Sequence, residues 1–248
     1  KKSSVALIAL WAFVALWIAG DVADIPVLNN LAFTSIFAVA LILLYYYLRF
    51  EEKRADTRRI AMIGALSALS VAGRVIFAAV PNVQPSTFIV VVSGYVFGPL
   101  EGFMVGATTA LISNLFLGQG PWTLWQMLAW GLAGLVSGFL GERHLLEGRW
   151  SMSFYCAAWG FIYGWLVNVY FVLGFVHPLT LRSFLTACAA SFYFDLLHAA
   201  GNFFFSMALG PAMVAMLRRY NTRFTFEQLP ACRAPGSADG RGSGRMFT

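Results

Sequence analysis

The sequence predicts an all-α membrane protein, a six-helix core preceded by an N-terminal two-helix transmembrane hairpin, and three observations carry that prediction. Hydrophobic residues make up 59% of the chain and charged residues 11%, with a mean hydropathy of +0.71; too little polar surface is left to coat a soluble globule of 248 residues. The apolar residues fall in runs separated by short polar breaks, most of them long enough to cross a bilayer as helices. Those breaks alternate between basic and nearly uncharged, as expected of loops on the two sides of a cell membrane.

Val5 to Ala19 and Leu31 to Leu48 are the first two runs, and DVADIPVLNN between them has the acids, Pro26 and paired Asn29 and Asn30 of an exposed loop. They read as a hairpin over residues 1–50. A signal peptide's apolar region is the competing reading of the first run, but no small-residue cleavage site follows it. EEKRADTRR then carries four cations in nine residues and marks a basic cytoplasmic linker over residues 51–59. The core, residues 60–220, holds six runs: Ile60 to Val80, Thr87 to Phe97, Gly102 to Leu117, Thr123 to Leu140, Ser153 to Val176 and Leu185 to Leu217. Basic turns at ERHLLEGR and LRRYNTR alternate with PNVQPS, GQGPW and HPLTL, which carry almost no charge, so eight crossings with both termini cytoplasmic are expected. Thr87 to Phe97 is short for a hydrocarbon core of about 30 Å and should be tilted, flanked by ordered loop or partly re-entrant. Leu185 to Leu217 is long, with Gly210 and Pro211 as the expected kink. The polar, glycine-rich segment over residues 221–248 is expected to be a disordered cytoplasmic tail.

Several functional classes lack support. The pI near 9.5 reflects basic loops beside anionic lipid rather than a nucleic-acid surface, since no basic-aromatic groove is present. Cys156, Cys188 and Cys232 show no CxxC spacing, and His144 and His177 sit in loops, so no metal site is expected. Neither a phosphate loop nor an HExxH or GxSxG motif occurs, which removes the usual grounds for an ATPase or an intramembrane hydrolase. No catalytic residue is assigned.

Candidate residues come from polarity inside the apolar runs. Ala61, Gly64, Ala65, Ala68 and Ala72 form a small-residue stripe along the first core helix, suited either to internal packing or to docking a partner helix. Arg74 and Asp195 are the main ionisable groups within the runs, and a buried pair between them is one reading. Cys188, Ser191, Asp195, His198 and Asn202 share one face of the last helix, either as an interhelical seam or as ligand contacts. Asn168 needs a partner, from that face or from a bound solute. At the uncharged loops Asn82, Gln84 and Thr87 lie on one side and Gln119, Trp122, Trp125 and Gln126 on the other; the last three cluster two rings and an amide at a helix start, suited to a planar or polycyclic ligand.

Four segments, Ala61 with Ala65, PNVQPSTFIV, FGPLEGFMVGA and above all SNLFLGQGPWTLWQMLAWG, resemble the substrate-binding (S) components of energy-coupling factor vitamin transporters, most closely the cobalamin-type branch. The resemblance runs from Arg59 to about Tyr220. It implies a six-helix subunit that captures a vitamin, cobalamin or a related corrinoid as first expectation, and topples against a transmembrane T component and two cytoplasmic ATPases. It implies no cofactor, the vitamin being cargo and ATP being used by the partners. Carried over by position, Ala61 and Ala65 would dock the T component, and Asn82 to Thr87 with Gln119 to Gln126 would line the pocket. Asn168, Asp195, His198 and Asn202 come from their own polarity and not from the resemblance. A self-sufficient secondary transporter, or a polytopic membrane enzyme, is the competing class.

Overall fold

Each apolar run becomes a helix, and the loop chemistry sets where it stops. The computed structural model describes residues 1–22, 30–53 and 57–224, and among them are eight α-helices and no strand. These are α1 (Lys2–Val22), α2 (Leu31–Glu52), α3 (Thr57–Ile76), α4 (Ser86–Phe97), α5 (Pro99–Leu117), α6 (Trp122–Glu142), α7 (Arg149–Phe175) and α8 (Leu181–Phe224), with a 3₁₀ turn, Phe77–Ala79, after α3. Seven are long and apolar enough to cross a membrane. The molecule is an all-α membrane protein.

Several boundaries differ from the sequence expectation for visible reasons. Asn30 caps α2 by accepting from the Phe33 amide at 3.1 Å. The far end of α2 extends to Glu52, where Ser3 donates to the Glu52 carboxylate through its amide (2.7 Å) and hydroxyl (2.6 Å) and Lys2 pairs with Glu51 at 2.7 Å. Pro99 opens α5 at the position where its missing N–H costs nothing, directly after Gly98 at φ +106°. Helix α8 continues as one helix through Gly210 and Pro211 to Phe224. Four residues of the expected tail are therefore helical, and the rest of that tail, like most of the hairpin loop and the middle of the linker, lies outside the described residues.

Helix α4 shows what a twelve-residue apolar segment is for. Every residue from Ser86 to Tyr95 is buried, and α3, α5, α6, α7 and α8 all pack around it. A helix that is apolar on every side belongs in such a position. Its spacing to α5 and α6 is set by glycines: a Cβ on Gly94 or Gly102 would run into the Gly134 carbonyl, and one on Gly134 into the Gly102 backbone. Three backbones therefore meet directly, the close approach that small residues permit between membrane helices.

The hairpin is joined to this core through α2, which packs on α5, α6 and α7, while α1 packs on α2. Val39 and Leu43 are buried there, and Tyr46 stacks on Phe103 with ring centroids 4.0 Å apart. At the end where the linker enters, Glu101 is buried in the first turn of α5 and binds Arg59 at 2.7 Å and Lys53 at 3.6 Å. That end, which also carries Arg149 and Arg218, is called the basic end below, and the opposite one the distal end.

Candidate ligand site at the distal end

Five helices bring side chains together in a buried cluster at the distal end. Thr87, in the first turn of α4, is fully buried. Its hydroxyl accepts from the Trp130 indole at 2.8 Å and meets His198 Nε2 at 2.8 Å, tying α4 to α6 and α8. Tyr163 of α7 stacks on Trp130 at 4.8 Å and sets its edge against His198 at 5.2 Å. The Arg74 guanidinium also stands over a face of the Trp130 ring, 4.7 Å from the centroid.

Arg74 then leads into a second set of bonds. Its Nη1 donates to the Ser113 hydroxyl and, at 2.6 Å, to Asn114 Oδ1. Asn114 spends its amide hydrogens on Thr123 Oγ1 (2.9 Å) and Gln126 Oε1 (2.7 Å), and Thr123 donates on to Gln119 at 2.9 Å. The chain of bonds thus starts at the exposed Gln119 and ends at the buried Arg74, with neutral partners throughout. The segment SNLFLGQGPWTLWQMLAWG supplies most of it, because Gly118 at φ +114° ends α5 and lets α6 fold back with Asn114 facing Thr123 and Gln126.

The residues expected from sequence do not all meet in one place. Thr87, Gln119, Gln126 and His198 belong to this network. Asn82, at φ 56°, donates to the Phe194 carbonyl at 3.0 Å and so ties the loop before α4 to α8, with half-buried Gln84 two residues on. Trp122 lies at the rim, 40% exposed and against Gly120. Trp125 is buried elsewhere, in an apolar cluster with Val39, Leu43, Phe103 and Tyr170, facing the hairpin. Asn168 finds its partner on the polar face of α8, donating to Ser191 at 2.8 Å.

The suggested pair between Arg74 and Asp195 does not form. Helical register aims Arg74 toward α5 and α6, while Asp195 lies against Gly164 of α7 and accepts from Ser191 at 2.8 Å. Part of the polar face on α8 is therefore a seam with α7, and His198 is where it enters the distal network. Asn202, one turn further, is fully buried.

Arg74's setting, Ser113, Asn114, Trp130 and Tyr163 were not assigned from sequence. Trp130 and Tyr163 carry no charge or amide to single them out inside an apolar run, and the signal that could have found Trp130 is its i+4 spacing from Gln126 on the same helix face. Glu101 was missed for another reason, since an acid beside a loop reads as solvated.

The small-residue stripe has a clear placement. Ala61, Gly64, Ala65, Ala68 and Ala72 are all exposed on the outer side of α3. Part of it, with Val71, Val75, Ile112 and Phe116, lines an apolar groove of about 430 Å³ between α3 and α5.

Comparison with known proteins bears on both features. Residues 54–219 match the family described as "ECF-type riboflavin transporter, S component". A UPF0397 protein of Vibrio atlanticus (strain LGP32) is 32% identical over 75 residues, 29% of this chain and 41% of that protein, so the match spans less than half the relative's length. No solved structure matches. The match is to a riboflavin-type family and gives no support to the cobalamin-type branch expected from the sequence motifs. With the core from the linker to the end of α8 covered, the chain belongs to the family of ECF-type riboflavin transporter S components.

Proposed function

We propose that the protein is the substrate-capture subunit of a vitamin importer, taking its cargo at the distal network and delivering it with a transmembrane T component and two cytoplasmic ATPases. The observation that carries this is the enclosed polar-aromatic cluster of Arg74, Thr87, Trp130, Tyr163 and His198, built from five helices and sitting below the loops of one end. Positive-inside asymmetry supports an external position for that end, because Lys53, Arg59, Arg149 and Arg218 gather at the other. Small polar ligands are held in sites of this composition, mostly aromatic with a few convergent polar groups.

A flat heteroaromatic vitamin fits better than a corrinoid. Paired aromatic faces and edge-directed donors and acceptors suit a planar ring, and the family's description names a flavin transporter. Two atoms that could ligate cobalt already have partners, His198 Nε2 in Thr87 and Cys188 Sγ in Asn168 at 3.7 Å. The exposed stripe on α3 supports T-component docking. Titration of the purified protein with riboflavin and with cobalamin, followed by indole fluorescence, tests the cargo. Uptake by cells expressing the chain with and without T component and ATPases tests the class; transport by the chain alone would return it to the secondary transporters.

A further inference from the structure

We infer that the cargo is an anion, and that Arg74 receives its carboxylate or phosphate. This rests on the capture reading above and narrows its substrate class. Arg74 is 9% exposed, lies within a membrane-spanning helix, and among the described residues no carboxylate forms an ion pair with it. Its partners, Ser113, Asn114 and the Trp130 face, are all neutral. A buried guanidinium with no counter-charge is costly in hydrocarbon, and such groups normally pair or mark a ligand pathway.

The unused hydrogen-bonding capacity points the same way. Arg74 Nε is buried with no partner. At His198 the assignment that uses every proton has Thr87 accept from the Trp130 indole and donate to Nε2; the imidazole hydrogen then sits on Nδ1, which is also buried and unpartnered. Asn202, one helical turn along the same face and fully buried, has both amide atoms unpaired. An orphan donor on the uncompensated cation itself, a second on His198 across the Trp130–Tyr163 stack, and an amide one turn further along α8 leave the network without an anionic acceptor. Asp195 does not supply it, being turned to Ser191 and Gly164. An arginine is suited to the task, since its fork matches the geometry of carboxylate and phosphate oxygens.

The test is equilibrium binding to the purified full chain with matched neutral and anionic probes: riboflavin against flavin mononucleotide, nicotinamide against nicotinate, and biotin against its methyl ester. Wild type should bind at least one anionic member roughly 100-fold more tightly than its neutral counterpart, a ratio of the size a desolvated charged contact gives. R74Q should abolish that preference, and R74K should keep part of it. The phosphate and carboxylate pairs separate the two sources of charge. Because removing an uncompensated buried charge should not weaken the empty protein, the melting temperature of ligand-free R74Q should match or exceed wild type, while the ligand-induced rise disappears. Tight binding of neutral riboflavin that R74Q leaves unchanged would overturn the anion assignment and keep the capture reading. Failure of the folded wild type to bind any probe would overturn both.

Discussion

Thr87 is the residue on which the distal network turns, because one hydroxyl serves both an indole donor and an imidazole nitrogen. Thr87→Val keeps the shape and removes both contacts, leaving Trp130 Nε1 and His198 Nε2 buried and unsatisfied. Each such group costs about 1–3 kcal/mol, so the variant should melt several degrees below wild type in detergent and lose ligand affinity. Adding Trp130→Phe should recover part of the stability, since it removes one orphan. Equal melting temperatures for the single and double variants would show that the indole gains nothing from the hydroxyl. A second residue-scale prediction concerns Arg74 and Asp195. With no pair between them, Arg74→Gln and Asp195→Asn should add in stability within about 0.5 kcal/mol, as for independent sites. A double variant clearly more stable than that sum would restore the ion pair. Which residues are polar inside the membrane is legible in the sequence, and His198 and Asn168 were singled out that way, while Thr87 and Gln126 were singled out from the uncharged loops beside them. Which residue each one meets depends on helix rotation and register, and a single sequence does not contain those.

At the scale of the element, the sequence carries most of the fold, because a segment of about twenty apolar residues between charged or glycine-rich breaks has few alternatives to spanning as a helix. Five of the eight expected segments lie within helices at most four residues longer at either end; Ile60 to Val80 runs past the end of α3, Ser153 to Val176 past the end of α7 by one residue, and α8 extends beyond Leu217 to Phe224. Helix α4 marks the limit of that reading. Its composition says apolar, and apolar is equally right for lipid and for the centre of a bundle, so only its shortness hinted at enclosure. The glycines give the firmer clue in retrospect, with Gly94, Gly102 and Gly134 each at a backbone contact. Gly134→Ala should therefore be strongly destabilising, by about 1–3 kcal/mol or more as an overpacked core, and should be seen as aggregation on size exclusion or a large fall in melting temperature. Gly64→Ala is the matched control: nothing lies within 4 Å of a Cβ at Gly64, so this change should be neutral or stabilise α3 by up to about 1 kcal/mol. If both variants behave alike, the α4–α5–α6 contact is not as close as described.

Across the whole molecule, the distal network and the α3 stripe lie on different surfaces, and that separation lets capture and assembly be tested apart. Helix α3 links them physically: Arg74 sits in its last turn facing inward, and Ala61 to Ala72 run along its outer side. At the basic end Glu101, bound by Arg59 and Lys53, holds the start of α3 to α5, so the outer side of α3 is presented on a fixed frame with the hairpin packed through α2 on α5, α6 and α7. Small residues there leave room for another helix backbone, and the adjoining apolar groove with Ile112 and Phe116 extends the contact. Replacing Ala61 and Ala65 together with Trp should abolish co-purification with a T component and ATP-driven uptake. Because both positions are exposed, the same variant should fold normally and bind ligand within about threefold of wild type, a difference well under 1 kcal/mol. Pull-down, uptake and equilibrium binding on one preparation separate the outcomes. Retained co-purification would show that the stripe faces only lipid, whereas lost ligand binding would show that the outer side of α3 is coupled to Arg74 through the helix itself.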